Sequence, residues 1–247
     1  MAIGWIVFAC VFGGALLGTF LRAVLPAHHL SPESKDVVKL GMGLISIMAA
    51  LVLGLLIASA KSAYDAQSNE LTQISANLIV LDHVLAHYGP ETQQARDLLR
   101  RAVVIALDRI WPESRSQPAQ LAPSTATARP YDQILKLSPQ DDRQRELYAQ
   151  ALRIGSDLLQ TRWLLAEQRA SSIALPFLVM LVFWLTVLFV SFGLFSPPNA
   201  TVIATLFVCA LSVSGAIFLI LELDQPFDGL IGLSSAPLRN ALEQLGQ

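Results

Sequence analysis

The chain has 247 residues, of which 53% are hydrophobic and only 15% are charged, and its net charge is −2. Soluble domains carry roughly a quarter charged residues, so this balance indicates a membrane protein. Because no basic excess is present to neutralise phosphates, the composition excludes a nucleic-acid-binding protein. The two cysteines lie in apolar runs and have no metal-like spacing.

The first apolar run, Ile3–Leu25, is long enough to cross a bilayer core of roughly 30 Å as a helix. It lacks a basic start and a cleavage site, so we interpret it as a retained transmembrane helix. Gly14 and Gly18 form a GxxxG pattern, which lets a second backbone approach closely. The partner is either the second helix of the same chain or another subunit, and packing within the chain is the favoured alternative.

The second apolar run, at about 37–60, is predicted to be the next transmembrane helix and to end near Lys61, where the composition becomes polar. Small side chains recur at every fourth position and therefore share one face of this helix. They either pack against another helix or face the lumen of a pore. These positions are Ser46, Ala50, Gly54 and Ala58.

Residues 62–172 are polar and have helical periodicity, which predicts a soluble domain built as a helical hairpin or a bundle of three long helices. Gly89 and Pro90 separate the first two helices. The segment at about 112–130 is rich in Pro, Ser, Ala and Thr and is predicted to be a linker. A long helix is then expected to begin at Ser138-Pro139.

Two further apolar runs, at 174–195 and 200–221, are separated by a turn of four residues and predict a second transmembrane hairpin. The domains are thus a transmembrane hairpin at 1–61, the helical domain at 62–172, a transmembrane hairpin at 173–222 and a tail at 223–247. Four spans place both termini and the helical domain on one side. The distribution of basic residues favours the cytosol for that side.

The tail begins with an acidic turn that contains Glu222, Asp224 and Asp228. Carboxylates at a membrane exit could attract cations to a pore mouth, although a solvated turn is the favoured alternative. An amphipathic helix follows, which is expected to fold onto the helical domain or onto a neighbouring subunit.

Catalytic signatures are absent from the sequence, so we predict neither an enzyme nor a cofactor. His83 and His87 lie four residues apart beside Asp82, a spacing that can place two imidazoles on one metal ion. No third ligand is evident, and a polar helix face is the favoured interpretation. A metal-dependent enzyme at these histidines stays a remote alternative.

Four stretches resemble the bacterial family labelled "bestrophin-like domain": Ala49–Asp65, Leu81–Thr92, Ile110–Pro112 and Leu223–Gly229. The most specific motifs are LDxxLxxYGPE and LDxPFxG. Their matching residues are Leu81, Asp82, Tyr88, Gly89, Pro90 and Glu91 in the first motif and Pro226, Phe227 and Gly229 in the second.

The resemblance implies the layout of bestrophins, which are oligomeric anion channels with four transmembrane helices. It also implies a cytosolic helical domain with cytosolic termini, a pore lined by the second helix, a homo-pentamer, and a place in the bacterial inner membrane. The chain departs from bestrophins in two places. It lacks the acidic run of their calcium clasp, and residues 41–60 lack the aromatic pore neck.

Two functions follow from these observations. In the first, the protein is an all-α, oligomeric ion channel, with inorganic ions, the lipid bilayer and its own copies as partners. The second helix lines its pore, and the helical domain extends the pathway. In the second, the protein does not conduct ions, and the spans anchor a helical domain that binds or regulates another protein. The spans contain few polar side chains, so conduction requires oligomerisation.

Overall fold

Every regular element in the computed structural model is a helix; the residues it describes are 2–25, 32–112, 125–167, 175–197, 199–227 and 231–246. The all-α prediction is therefore confirmed. A 3₁₀ turn at Pro90–Thr92 follows the second helix. The α-helices are α1 Ala2–Val24, α2 Pro32–Tyr88, α3 Gln93–Ile110, α4 Thr125–Ile134, α5 Asp142–Glu167, α6 Leu175–Phe195, α7 Ala200–Leu223 and α8 Ala236–Gln244.

The chain divides into two compact units. The first, called here the apolar unit, comprises Met1–Ser62 and Ser172–Asp224. The second, called the amphipathic unit, comprises Ala63–Ser171 and Gln225–Gln247. Helix α2 contributes residues to both units, because the boundary between them falls within it.

The second transmembrane helix does not end near Lys61, as the change in composition predicted. Helix α2 continues without interruption to Tyr88 and is 57 residues long. No proline or glycine occurs between Gly54 and Gly89, so nothing in the backbone chemistry stops the helix. Composition marked the end of the apolar segment and not the end of the helix.

The apolar unit contains α1, the first part of α2, α6 and α7, and each of these four helices is long and apolar enough to cross a membrane. Helix α1 packs along α6 and α7. The side chains at the centre of this packing are almost completely buried. They include Val11, Ala15, Leu181, Ala210 and Ile217.

The amphipathic unit has a separate aliphatic core between the second part of α2 and helices α3, α4, α5 and α8. Apolar residues of α2 that recur at intervals of three and four, in line with the helical periodicity of this region, contribute to this core; they are Ile74, Leu78, Leu81 and Leu85. The tail helix α8 supplies Leu238, so the tail packs in the same unit as α3.

The predicted linker is too long, because residues 125–130 belong to α4. Pro130 lies inside that helix and removes one backbone donor, which is why the sequence pattern argued against a helix there. Packing overrides this penalty: Ile134 is 1% exposed, and the Tyr131 ring lies against Gly155 of α5. Residues 113–124 lie outside the described part of the chain.

Helix α5 begins at Asp142, four residues later than Ser138 predicted. Asp141 accounts for this start, because its carboxylate accepts a hydrogen bond from the backbone N–H of Gln144 at 2.6 Å. A carboxylate in this position caps an otherwise unpaired donor of the first turn. The start predicted at Ser138-Pro139 was therefore wrong by about one helical turn.

Candidate functional site

The apolar part of α2 is the least covered of the four candidate spans. Within an apolar stretch of 18 residues in this segment, 11% of the residues are buried, whereas 22–33% are buried in the corresponding stretches of the other three candidate spans. Ser46 is half-buried, whereas Ala50, Gly54 and Ala58 are exposed. A Cβ built at Gly54 would meet no atom of another described element within 4 Å. The predicted small-residue face of α2 is therefore open to lipid, to another subunit or to a pore.

The GxxxG face of α1 has a partner within the chain, but that partner is α6 and not α2. A Cβ at Gly18 would overlap the carbonyl oxygen of Val190, and one at Gly193 of α6 would overlap the carbonyl oxygen of Ala15. A Cβ at Gly14 would lie 3.1 Å from the Thr186 carbonyl oxygen. The backbones of α1 and α6 thus touch where glycines permit it.

Four hydroxyl groups of α6 and α7 donate within their own helices, whereas the buried Ser214 hydroxyl of α7 has no hydrogen-bond partner among the described residues. Thr186 and Ser191 of α6 donate to the carbonyl oxygens of Val182 and Val187 at 2.8 and 3.0 Å. In α7, Thr205 and Ser212 donate in the same way, each to the residue four positions earlier. These hydroxyls do not form a polar path across the described part of one protomer.

The acidic residues proposed to attract cations fall at the end of α7. Glu222 lies in its last turn, Asp224 follows its last residue, and both are half-buried. Asp228 lies outside the described residues, as does Gly229 of the second family motif. Among the described residues, no group of three His, Cys, Asp or Glu side chains could hold a metal ion.

The first family motif centres on a buried carboxylate. Asp82 is 3% exposed, and the guanidinium of Arg96 in α3 donates to both of its oxygens, each at 2.8 Å. The backbone N–H of Gly246 donates to the same carboxylate at 3.0 Å. Burial alone would raise the pKa of Asp82, but these hydrogen bonds and the charges of Arg96 and His83 outweigh it and lower that pKa.

The rest of this motif forms the corner between α2 and α3. Gly89 has φ 142° and ψ 177°, in a region that is accessible almost only to glycine. The buried Thr92 hydroxyl lies 2.6 Å from the Leu85 carbonyl oxygen and 2.8 Å from that of Gly89. It thereby satisfies an acceptor that the end of α2 leaves without a helical partner.

The remaining motif positions differ in burial. Leu81 and Tyr88 are buried in the core of the amphipathic unit, while Pro90 and Glu91 are exposed. Burial, followed by the charge of Glu91, raises the pKa of Tyr88. The YGPE sequence therefore specifies a buried helix end and a tight turn. We find no catalytic arrangement at these positions.

The second family motif meets Ile110-Trp111-Pro112, the other short stretch that carried the resemblance. The Trp111 and Phe227 rings are in edge contact, with centroids 6.2 Å apart. Trp111 Nε1 donates to the Leu233 carbonyl oxygen at 2.9 Å, and the Leu233 N–H donates to the Pro226 carbonyl oxygen at 2.7 Å. These contacts hold the loop between α7 and α8 against the end of α3.

Among the described residues, no third His, Cys, Asp or Glu side chain lies where it could complete a metal site with the histidine pair. His83 and His87 are exposed, and each Nδ1 lies within hydrogen-bond distance of the carbonyl oxygen four residues earlier. Asp82 is buried and bound to Arg96, so it is committed elsewhere. The arrangement matches the polar helix face that the sequence favoured.

Sequence reasoning missed three residues that complete the motifs: Arg96, Thr92 and Gly246. By sequence spacing, Arg96 falls with Arg100 and Arg101 on the side of α3 opposite its apolar residues. One signal could have identified it, because Asp82 follows Leu81 inside an apolar stripe and a buried carboxylate requires a cationic partner. No comparable signal pointed to Gly246, which acts through its backbone.

Comparisons with known proteins agree with the fold. A family model described as "Bestrophin-like domain" matches residues 9–238. Among solved structures, the chain is similar to a bacterial bestrophin homologue from Klebsiella pneumoniae, crystallised with one mutation. The TM-score is 0.63 at 17% identity, and the match covers 96% of this chain and 98% of that one. No protein of curated function matches the chain.

Proposed function

The chain belongs to the bestrophin-like domain family, and we propose that it is the subunit of an oligomeric ion channel whose pore is lined by α2. The resemblance that the sequence motifs indicated is thereby confirmed, and with four apolar helices the chain is a multi-pass membrane protein. Our proposal concerns the channel activity, the pore and the oligomeric state.

The observation that carries this proposal is the exposure of α2. Its apolar segment is the least buried of the four, although its sequence is as apolar as the others. A helix of this kind needs cover from lipid or from other subunits. If several copies meet around an axis, then Ala50, Gly54 and Ala58 provide a narrow apolar lumen, which can gate by dewetting.

Oligomerisation is a necessary part of the proposal. Four hydroxyls of α6 and α7 donate within their own helices, so one protomer offers ions little to replace their water. The bestrophin resemblance supports a pentamer in the bacterial inner membrane with cytosolic termini. It likewise supports a pathway extended by the helical domain, and all of these stay predictions.

The test is single-channel recording of purified protein in a planar bilayer under a potassium chloride gradient. A reversal potential set by the gradient is the expected result. Gly54→Leu should abolish the current, because the added side chain fills a narrow lumen. The matched control is Gly13→Leu in α1, since Gly13 is also exposed in open space. Equal currents from both variants would remove α2 from the conduction pathway.

We also propose that Glu222 and Asp224, together with Asp228, attract cations at the end of the fourth span. Carboxylates at a pore mouth raise the local cation concentration. In the same recordings, Glu222→Gln combined with Asp224→Asn should shift the reversal potential toward that of chloride. An unshifted potential would show that these residues lie away from the ion pathway.

The alternative function, a non-conducting membrane-anchored interaction or regulatory protein, is favoured by one observation. The described spans have few polar side chains, and those with resolved contacts bond within their own helices. On this alternative the exposed α2 face contacts lipid, and the amphipathic unit binds the partner. Silent bilayers from intact oligomers, across voltages and calcium concentrations, would favour it over the channel.

A further inference from the structure

A partly open cavity of about 110 Å³ lies in the amphipathic unit, between α2, α3, α4, α5 and α8. Its wall is largely aliphatic, with Leu71, Leu78, Val103 and Leu159 among the lining residues. Protein interiors are packed closely, and voids larger than a water molecule are few. A cavity of this size between five helices therefore leaves room for part of a ligand.

Small residues form part of the cavity wall. Ala102 and Ala106 of α3 line it at positions where larger side chains would reduce its volume, and Gly155 of α5 gives room to the neighbouring Tyr131 ring. The Tyr131 ring lies over Gly155, so closely that a Cβ there would be 2.7 Å from Cδ2 of the ring. The ring is thereby held as part of the wall, and the space beside the two alanines stays open.

The charged side chains that line the cavity in the described part of the chain are all positive. Arg109 and Arg162 line the cavity, and no Asp or Glu does so among the described residues. Arg162 is half-buried, and burial lowers its pKa because it penalises the charged form. An anion beside it would offset that penalty. Each guanidinium has five N–H donors and can bind an anion in addition to its other contacts.

We propose that this cavity binds an anionic amphiphile with a single alkyl chain, of the fatty-acid class. The chain would lie among the aliphatic side chains, and the head group would accept hydrogen bonds from the two arginines. Apolar cavities of roughly 150 Å³ hold one benzene molecule. A cavity of about 110 Å³ therefore has room for the end of one alkyl chain and not for the ends of two. The proposal does not depend on channel activity.

The test is isothermal titration of the full chain in phosphatidylcholine nanodiscs with octanoate, octyl phosphate and octanol, against blank nanodiscs. Octanoate should bind at least about tenfold more tightly than octanol, because only the anion gains charge-assisted hydrogen bonds. Comparing octyl phosphate with octanoate distinguishes a phosphate from a carboxylate head group, both of which a guanidinium binds. Tighter binding of octyl phosphate than of octanoate would identify the head group as a phosphate monoester.

Three variants test the apolar part of the proposed site and its two arginines separately. Ala106→Leu should weaken both octanoate and octanol by about tenfold or more, because the new side chain fills the cavity. Arg109→Gln and Arg162→Gln should weaken octanoate by about tenfold and leave octanol unchanged. Ala86→Leu and Arg101→Gln are the matched controls, since both positions are exposed and lie outside the lining.

Three results would overturn the proposal. Binding no different from that of blank nanodiscs would exclude the site, and equal affinity for octanol and octanoate would exclude the anionic head group. Octanoate affinity that survives Ala106→Leu would place the ligand elsewhere. If Ala106→Leu reduces the yield of folded protein, the two arginine variants and Arg101→Gln decide the question alone.

Discussion

The two units of this protein are held together by different interactions. In the apolar unit, α1 and α6 touch backbone to backbone at Gly18 and Gly193. In the amphipathic unit, an aliphatic core is completed by specific polar contacts, among them the ion pair of Asp82 with Arg96 and the contact of the Thr92 hydroxyl with the Leu85 carbonyl oxygen. The first unit relies on the shape of small residues, and the second on burial with hydrogen bonding.

The difference reflects the two solvents. Within a bilayer, lipid tails are as apolar as leucine, so helices gain little from burying apolar side chains and associate where their backbones can approach. In water, apolar burial drives assembly, and polar groups that become buried must find partners. The first family motif falls in the amphipathic unit, where a buried carboxylate and a sharp turn place strict demands on residue identity.

The largest expected effect is the loss of the Asp82 carboxylate. Asp82→Ala leaves the half-buried Arg96 guanidinium and the Gly246 N–H without this acceptor, and should reduce the free energy of unfolding by about 3 kcal/mol. Thermal unfolding followed by fluorescence of Trp111 and Trp163, with the other tryptophans replaced by Phe, reports on this unit. Unchanged stability would mean that the aliphatic core alone accounts for the stability of the amphipathic unit.

In the apolar unit, Gly18→Ala should reduce the free energy of unfolding by about 2 kcal/mol, because the added methyl group overlaps the α6 backbone. The matched control is Gly13→Ala, which makes the same chemical change in open space and should be neutral. Fluorescence of Trp5 and Trp184 would follow unfolding of this unit. Equal effects of the two substitutions would contradict the close contact between α1 and α6.

A smaller effect is expected from Trp111→Phe. The substitution keeps an aromatic ring beside Phe227 but removes the donor to the Leu233 carbonyl oxygen, at a cost of about 1 kcal/mol. Chemical denaturation of the variant and the parent protein gives the difference. A loss of several kcal/mol would show that packing of the indole, and not its N–H, fixes the tail.

The smallest expected effect is on the pH dependence of the stability of the fold. Because the folded pKa of Asp82 lies below its unfolded value of 3.8, the carboxylate stabilises the fold fully above that value. This contribution is lost as the pH falls through the folded pKa. The difference in the midpoint of thermal unfolding between the parent protein and the Asp82→Asn variant should therefore become smaller below about pH 4. A difference that is constant from pH 6 to pH 3 would contradict the lowered pKa.

Much of the fold could be read from local pattern. Apolar length identified the four candidate spans, and the three-and-four spacing from Leu71 to Tyr88 identified the buried face of α2. Where the prediction failed, local pattern was misleading: the polar residues after Lys61 suggested a helix end, and the Pro, Ser, Ala and Thr residues up to Pro130 suggested a linker. Helices continue through both because backbone chemistry permits the first and packing stabilises the second.

The sequence by itself determined the membrane character, the helical class and the family, because each depends on composition, periodicity or short motifs. Only the tertiary structure decided which partners those residues have. It paired Gly18 with α6 and not with α2, and brought Arg96 and Gly246 to Asp82. It also left the small-residue face of α2 exposed. The physical reason is that a contact between distant residues depends on the directions of whole helices, which no local spacing encodes.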